Sequence, residues 1–144
     1  MEYRKFGDTY YIRMDRGDKV VSAIREVCLS EGIKSAIYSG IGGCSSAQIQ
    51  TFIPEKGEFE TEEIQGMLEL VSFMGNVVTD SEGKLHQHTH AMFAYKDGDA
   101  HKNIGGHLKE TTVLYTAEIE LRPTIGGHIG WKYNEETGTG FWEL

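Results

Sequence analysis

Hydrophobic and polar positions along the chain change their period only once. Between Asp18 and Gly32, the residues Val20, Val21, Ala23, Ile24, Val27 and Cys28 recur at helical spacing. That stripe predicts one amphipathic helix, with Asp18 placed to cap its start and Gly32 to stop it. Elsewhere the pattern is short and β-rich. Strands are predicted at Tyr10–Met14, Ile33–Ser39, Ala47–Ile53, Glu58–Ile64, Met67–Phe73, Asn76–Thr79, His86–Tyr95, Thr111–Arg122 and Ile129–Tyr133. Turn signals separate them. Asp15-Arg16-Gly17-Asp18 precedes the helix, and Gly40, Gly42 and Gly43 close the strand that follows it. Pro54-Glu55-Lys56-Gly57 forms a four-residue hairpin loop, Ser81–Lys84 is a turn, and Lys96–Asn103 reads as a charged loop. Most connections are too short for parallel crossovers. The predicted fold class is α+β: a curved, mostly antiparallel, barrel-like sheet with one main covering helix.

Composition narrows the picture. The 144 residues fit a single domain spanning 1–144. A hydrophobic share of 39% and a charged share of 25% exclude a disordered tail and a membrane protein. Glycine occurs 18 times and proline twice, which favours tight turns and close backbone approaches over linkers. The opening MEYRKFGDTY has no apolar stretch, and no later run approaches the roughly 18 apolar residues of a spanning helix, so a cytoplasmic location is expected. Cys28 and Cys44 form no CxxC pair and read as buried free thiols. Fourteen basic residues against 22 acidic ones leave a net charge of −8, which repels phosphate backbones.

The chemistry concentrates in histidine. Five of the six histidines fall between residues 86 and 107, beginning His86-Gln87-His88-Thr89-His90. On a strand, residues i and i+2 share a face with Cα atoms about 6.5 Å apart, whereas i and i+4 are about 13 Å apart. One metal ion can therefore take His86 with His88, or His88 with His90, and a third ligand must come from another segment. His107, on a Gly105-Gly106 turn, is the nearest candidate in sequence, and His128 has a similar Gly-Gly setting. His101 lies among charged residues and reads as solvated. Glu69 and Glu118 are the carboxylates an enzyme reading would examine, but strand alternation puts both on exposed faces. The acidic stretch Glu55–Glu63 is a solvated hairpin. Gly40-Ile41-Gly42-Gly43 lacks dinucleotide-binding spacing, and Ser45 and Ser46 lack a nucleophile setting. Phe141 and Trp142 form an apolar pair suited to packing on a neighbouring subunit.

Several of these segments together resemble a known family. His88-Thr89-His90-Ala91, then Asp97-Gly98, then Gly105-Gly106-His107-Leu108 resemble the plants-and-prokaryotes-conserved (PPC) domain, known from plant proteins that carry AT-hooks. Arg13 with Arg16-Gly17-Asp18, Ser39-Gly40-Ile41-Gly42, Glu69 with Gly75, and Ala117-Glu118-Ile119 extend the likeness over about residues 10–122. The resemblance implies an α/β fold with a curved antiparallel sheet, assembly as a homotrimer, and a metal site, with zinc expected, on His88, His90 and His107. The fold is also similar to that of acetolactate decarboxylase, which holds zinc on three histidines. Single-domain members are commonly described as DNA-binding, although the AT-hooks make the DNA contact in plants. This chain has no Arg-Gly-Arg-Pro core, and its only prolines are Pro54 and Pro123. The expected function is a metal-binding, homotrimeric, regulatory module whose own charge gives direct DNA contact little support. The alternative is a small zinc-dependent lyase or hydrolase using the three-histidine site.

Overall fold

The helical stripe folds as α1, Val20–Ser30, in a computed structural model that describes residues 1–144. Val20, Ala23, Ile24, Val27 and Cys28 are all buried, so the predicted apolar face is the face that packs. Its start differs from the expectation. Lys19, not Asp18, is the N-cap residue, and it makes no side-chain cap. The Asp18 carboxylate instead accepts from the Asp15 N–H at 2.8 Å and pairs with the N-terminal ammonium at 2.9 Å. Glu110, remote in sequence, takes over the capping. Its carboxylate accepts from the Val21 N–H at 2.9 Å, the Ser22 N–H at 3.1 Å and the Ser22 hydroxyl at 2.6 Å. A negative charge thus satisfies free donors at the positive end of the helix dipole. At the other end Gly32 turns at φ +64° and the Ile33 N–H closes onto the Cys28 carbonyl at 2.8 Å.

The strands are β1 (Glu2–Phe6), β2 (Thr9–Asp15), β3 (Ala36–Ile53), β4 (Glu58–Thr79), β5 (Leu85–Asp97), β6 (Ala100–Pro123), β7 (Gly130–Asn134) and β8 (Thr139–Glu143). All eight join one sheet in the order β1-β2-β6-β3-β4-β7-β8, with β5 pairing both β4 and β6. Because β3 also pairs with both β4 and β6, the hydrogen bonds run in a ring around a strongly curved, mostly antiparallel sheet. One pairing, Thr79 with Gly130, is parallel. The α+β expectation holds, and the single helix lies against β5 and β6. Residues such as Ile12 and Met14 on β2, Phe73 on β4, Phe93 on β5 and Leu121 on β6 form one core with α1. Burying each such side chain stabilises by about 1.5–3 kcal/mol before conformational entropy is counted.

The strands run longer than the pattern predicts. Met67–Phe73 and Asn76–Thr79 are continuous with Glu58–Ile64 as β4, and Ile33–Ser39 overlaps a β3 that runs on to Ile53. Gly40–Gly43 was expected to turn the chain, yet β3 passes through it with register shifts. A Cβ on Gly40 would lie 2.5 Å from the Glu118 carbonyl oxygen, and one on Gly42 would lie 2.7 Å from that of Thr116. These glycines serve close strand approach, not a turn. Gly105 and Gly106 likewise lie inside β6, where a Cβ on Gly105 would sit 2.6 Å from the Ala91 carbonyl oxygen. The expected loop Lys96–Asn103 shrinks to Gly98 and Asp99 between β5 and β6, so His101 stands on a strand, exposed. β1 and β8 went unpredicted because their residues are mostly exposed and show little apolar alternation. Both thiols are free and buried, as expected. No helix is long and apolar enough to cross a membrane.

Candidate metal centre

Strand alternation does most of the positioning. On β5 the side chains of Leu85, Thr89, Ala91 and Phe93 are buried, which turns His88 and His90 together to the opposite face. The β5–β6 register then sets His107 directly across from His90. The ligand-type atoms of His88, His90 and His107 all lie within 4.8 Å of one another. His88 Nε2 and His90 Nε2 are 3.1 Å apart, and the three ring centroids are separated by 4.8 to 5.1 Å. Nitrogens bound tetrahedrally to zinc at 2.0–2.1 Å stand about 3.3 Å from one another. The donor set therefore fits such an ion: three imidazoles, one pair already at the required separation, and no carboxylate among them.

Groups beneath the strand hold it. The buried Thr89 hydroxyl and the Tyr38 hydroxyl share a 2.5 Å hydrogen bond, and Gln87 Nε2 donates to the same Tyr38 oxygen at 3.3 Å. Burial pushes the Tyr38 phenol up to about 12, so it stays protonated. Gly75 on β4 leaves room for that phenol, which a Cβ there would overlap. Phe59, from the start of β4, brings its ring to 5.2 Å from that of His107. Partial burial of the ring, and then the neighbouring His90, hold His88 below the usual imidazole range. Burial, then His88 and His90, do the same for His107. Both rings are held in the neutral form that coordinates a metal.

The remaining histidines go elsewhere. His86 shares the outward face but is diverted: its Nε2 lies 2.7 Å from Asp80 Oδ2, and its ring stacks on Trp131 at 3.8 Å and 6°. That contact, followed by the Lys84 and Glu82 backbone N–H groups, keeps Asp80 below the usual carboxylate range. His128 is exposed beside Lys5, Tyr10 and Glu31, away from the cluster. Glu69 and Glu118 are exposed and line a different cavity. Glu120 and Arg122, not singled out from sequence, share a cavity of about 470 Å³ with His88 and His90. Arg122 donates to Glu120 at 3.3 Å and the Ser39 hydroxyl does so at 3.5 Å. Their alternation along β6 was the available signal. Trp142 packs on its own chain, where its indole N–H donates to Asn76 Oδ1 at 3.2 Å.

Comparisons with known proteins agree with this architecture. A plant- and prokaryote-conserved (PPC) protein from Pyrococcus horikoshii shares 33% identity and a TM-score of 0.83, covering 99% of this chain and 95% of its own. A metal-containing protein from Archaeoglobus fulgidus shares 31% identity and a TM-score of 0.83, covering 99% and 97%. A "putative DNA-binding protein" from Bacteroides thetaiotaomicron has a TM-score of 0.90 over 99% of this chain and 96% of its own, and at 21% identity it speaks to the fold alone. Among curated proteins none matches. The model of the Plants and Prokaryotes Conserved (PCC) domain matches residues 1–125, and with it the chain belongs to that family.

Proposed function

We propose that this protein is a metal-binding, homotrimeric PCC-domain module with a regulatory role, holding zinc on His88, His90 and His107. The convergence of those three imidazoles within 4.8 Å carries the reading. The Archaeoglobus protein's description as metal-containing, at 31% identity, supports it. With three protein ligands the ion would keep one position for water or an exchangeable anion, and there it would act as a Lewis acid. The chain's own part is to present three imidazole rings at a fixed spacing, on strands pinned from below by Tyr38 and Thr89.

The trimer is supported by apolar surface on the same outer face. Ile41, Met67, Val71 and Tyr115 are exposed around one shallow cavity, and Met74, opposite His90, is exposed as well. Surface of that kind on a protein of this size marks an interaction site. Direct DNA contact has no such support. Arg4, Arg13, Lys56, Lys102 and Arg122 each pair with a carboxylate of their own chain.

Calorimetric titration of zinc into chelator-treated protein tests the metal reading. One site per chain is expected; no heat and no bound zinc after exchange would reject it. A second reading, a small zinc-dependent lyase or hydrolase, draws on the Glu120–Arg122 pair in the cavity beside His88 and His90. A zinc-loaded protein that hydrolysed or decarboxylated small substrates, and lost this with Glu120→Gln, would favour it.

A further inference from the structure

A second cavity opens on the histidine cluster, and rings build most of it. The β7–β8 hairpin lies beyond the residues that match the family and joins the sheet through the single pair Thr79–Gly130. It nevertheless stands beside the cluster, anchored by the Trp131–His86 stack and the Trp142–Asn76 hydrogen bond. Gly140 on β8 lets the Trp131 indole lie flat across the hairpin, since a Cβ there would overlap it. Phe59, His86, His107, Trp131, Phe141 and Trp142 line a space of about 370 Å³ that also reaches His88. Phe59, Phe141 and Trp142 are each nearly half exposed around it, at 48%, 46% and 44%. No Asp, Glu, Lys or Arg lines it, although a quarter of the chain is charged.

Ring walls and uncharged polar groups recognise a flat apolar body, which stacks or meets the rings edge-on. The end formed by His88 and His107 recognises something different. Neutral imidazoles leave the charge of a bound divalent ion uncompensated, so an anionic oxygen is the complementary head group. We propose that this pocket binds a small planar aromatic molecule with an anionic, metal-ligating oxygen head, its ring held among Phe59, Phe141 and Trp142. The proposal rests on the metal reading above and adds the ligand class and the hairpin's part in selecting it.

Benzohydroxamate and acetohydroxamate carry the same chelating head, with and without a ring. Each is titrated into zinc-loaded protein by calorimetry and by tryptophan fluorescence, since the chain's two tryptophans, Trp131 and Trp142, both sit on this hairpin. Benzohydroxamate should bind at least about tenfold tighter and change the emission. Phe141→Ala and Trp142→Ala should reduce that preference to about twofold, with zinc stoichiometry and acetohydroxamate affinity unchanged. Equal affinities on zinc-loaded wild-type protein would overturn the pocket and leave the metal site standing. A preference that survives both substitutions would overturn the hairpin's role. Failure to load zinc would remove the metal reading and this proposal together.

Discussion

Thr89 lies buried between two exposed histidines, and its 2.5 Å hydrogen bond to Tyr38 ties the underside of β5 to β3. The face that carries His88 and His90 is thus held from behind by a polar contact inside the core. Tyr38→Phe leaves the Thr89 hydroxyl without that partner. It should cost about 1–3 kcal/mol in urea unfolding and weaken zinc binding without abolishing it. At the ligands themselves the effect should be far larger. His90→Ala should lower zinc affinity by at least about 100-fold, judged against the 10–100-fold typical of losing a mere supporting group, while His101→Ala leaves it intact. The pH dependence follows from the lowered pKa values of His88 and His107. In the metal-free protein the unfolded chain protonates first as pH falls through about 6.5, so stability from these rings is present above that pH and lost below it. Zinc needs the neutral rings, so affinity measured at descending pH should hold near pH 7 and fall in acid below the unperturbed value. Affinity that rose in acid would contradict the ligand assignment.

At the scale of elements, α1 depends on a residue far from it in sequence. Glu110 satisfies two backbone N–H groups and a hydroxyl at its first turn, so Glu110→Ala should lower stability by about 1–2 kcal/mol, read as a shift in the urea midpoint. Glu110→Gln, which keeps an acceptor, should recover part of the loss. This contact also shows where sequence reading stops. The period of Val20–Cys28 revealed α1, and the period of two revealed that His88 and His90 share a face, because each is a local property. Glu110 as a cap and His107 as the cross-strand partner of His90 depend on strand register, which no single segment encodes. In the sequence His107 is only the nearest candidate, and the family resemblance is what pairs it with His88 and His90. Glycine misled for a related reason. Gly40, Gly42 and Gly105 look like turn residues, but they serve neighbouring backbones that only the folded sheet brings close. The hairpin at Pro54–Gly57 was legible because its loop chemistry is complete within those residues.

For the whole molecule, the charge of −8 per chain becomes three times that, −24, in the proposed trimer. At about 0.15 M salt, fluorescence anisotropy should find duplex DNA binding absent or weaker than the ordinary non-specific range of about 10⁻⁴–10⁻⁶ M. Tight, sequence-selective binding by the isolated protein would contradict this. The apolar outer face and the three-histidine cluster lie on one side of the sheet, so assembly and metal binding can be read together. Native mass spectrometry of zinc-exchanged protein does so, because the 16.1 kDa chain mass and each bound ion are resolved in one spectrum. The predicted species is three chains with three zinc ions, and three chains with none for His90→Ala. Wild-type protein that stays free of zinc under the same conditions would contradict the metal centre on His88, His90 and His107.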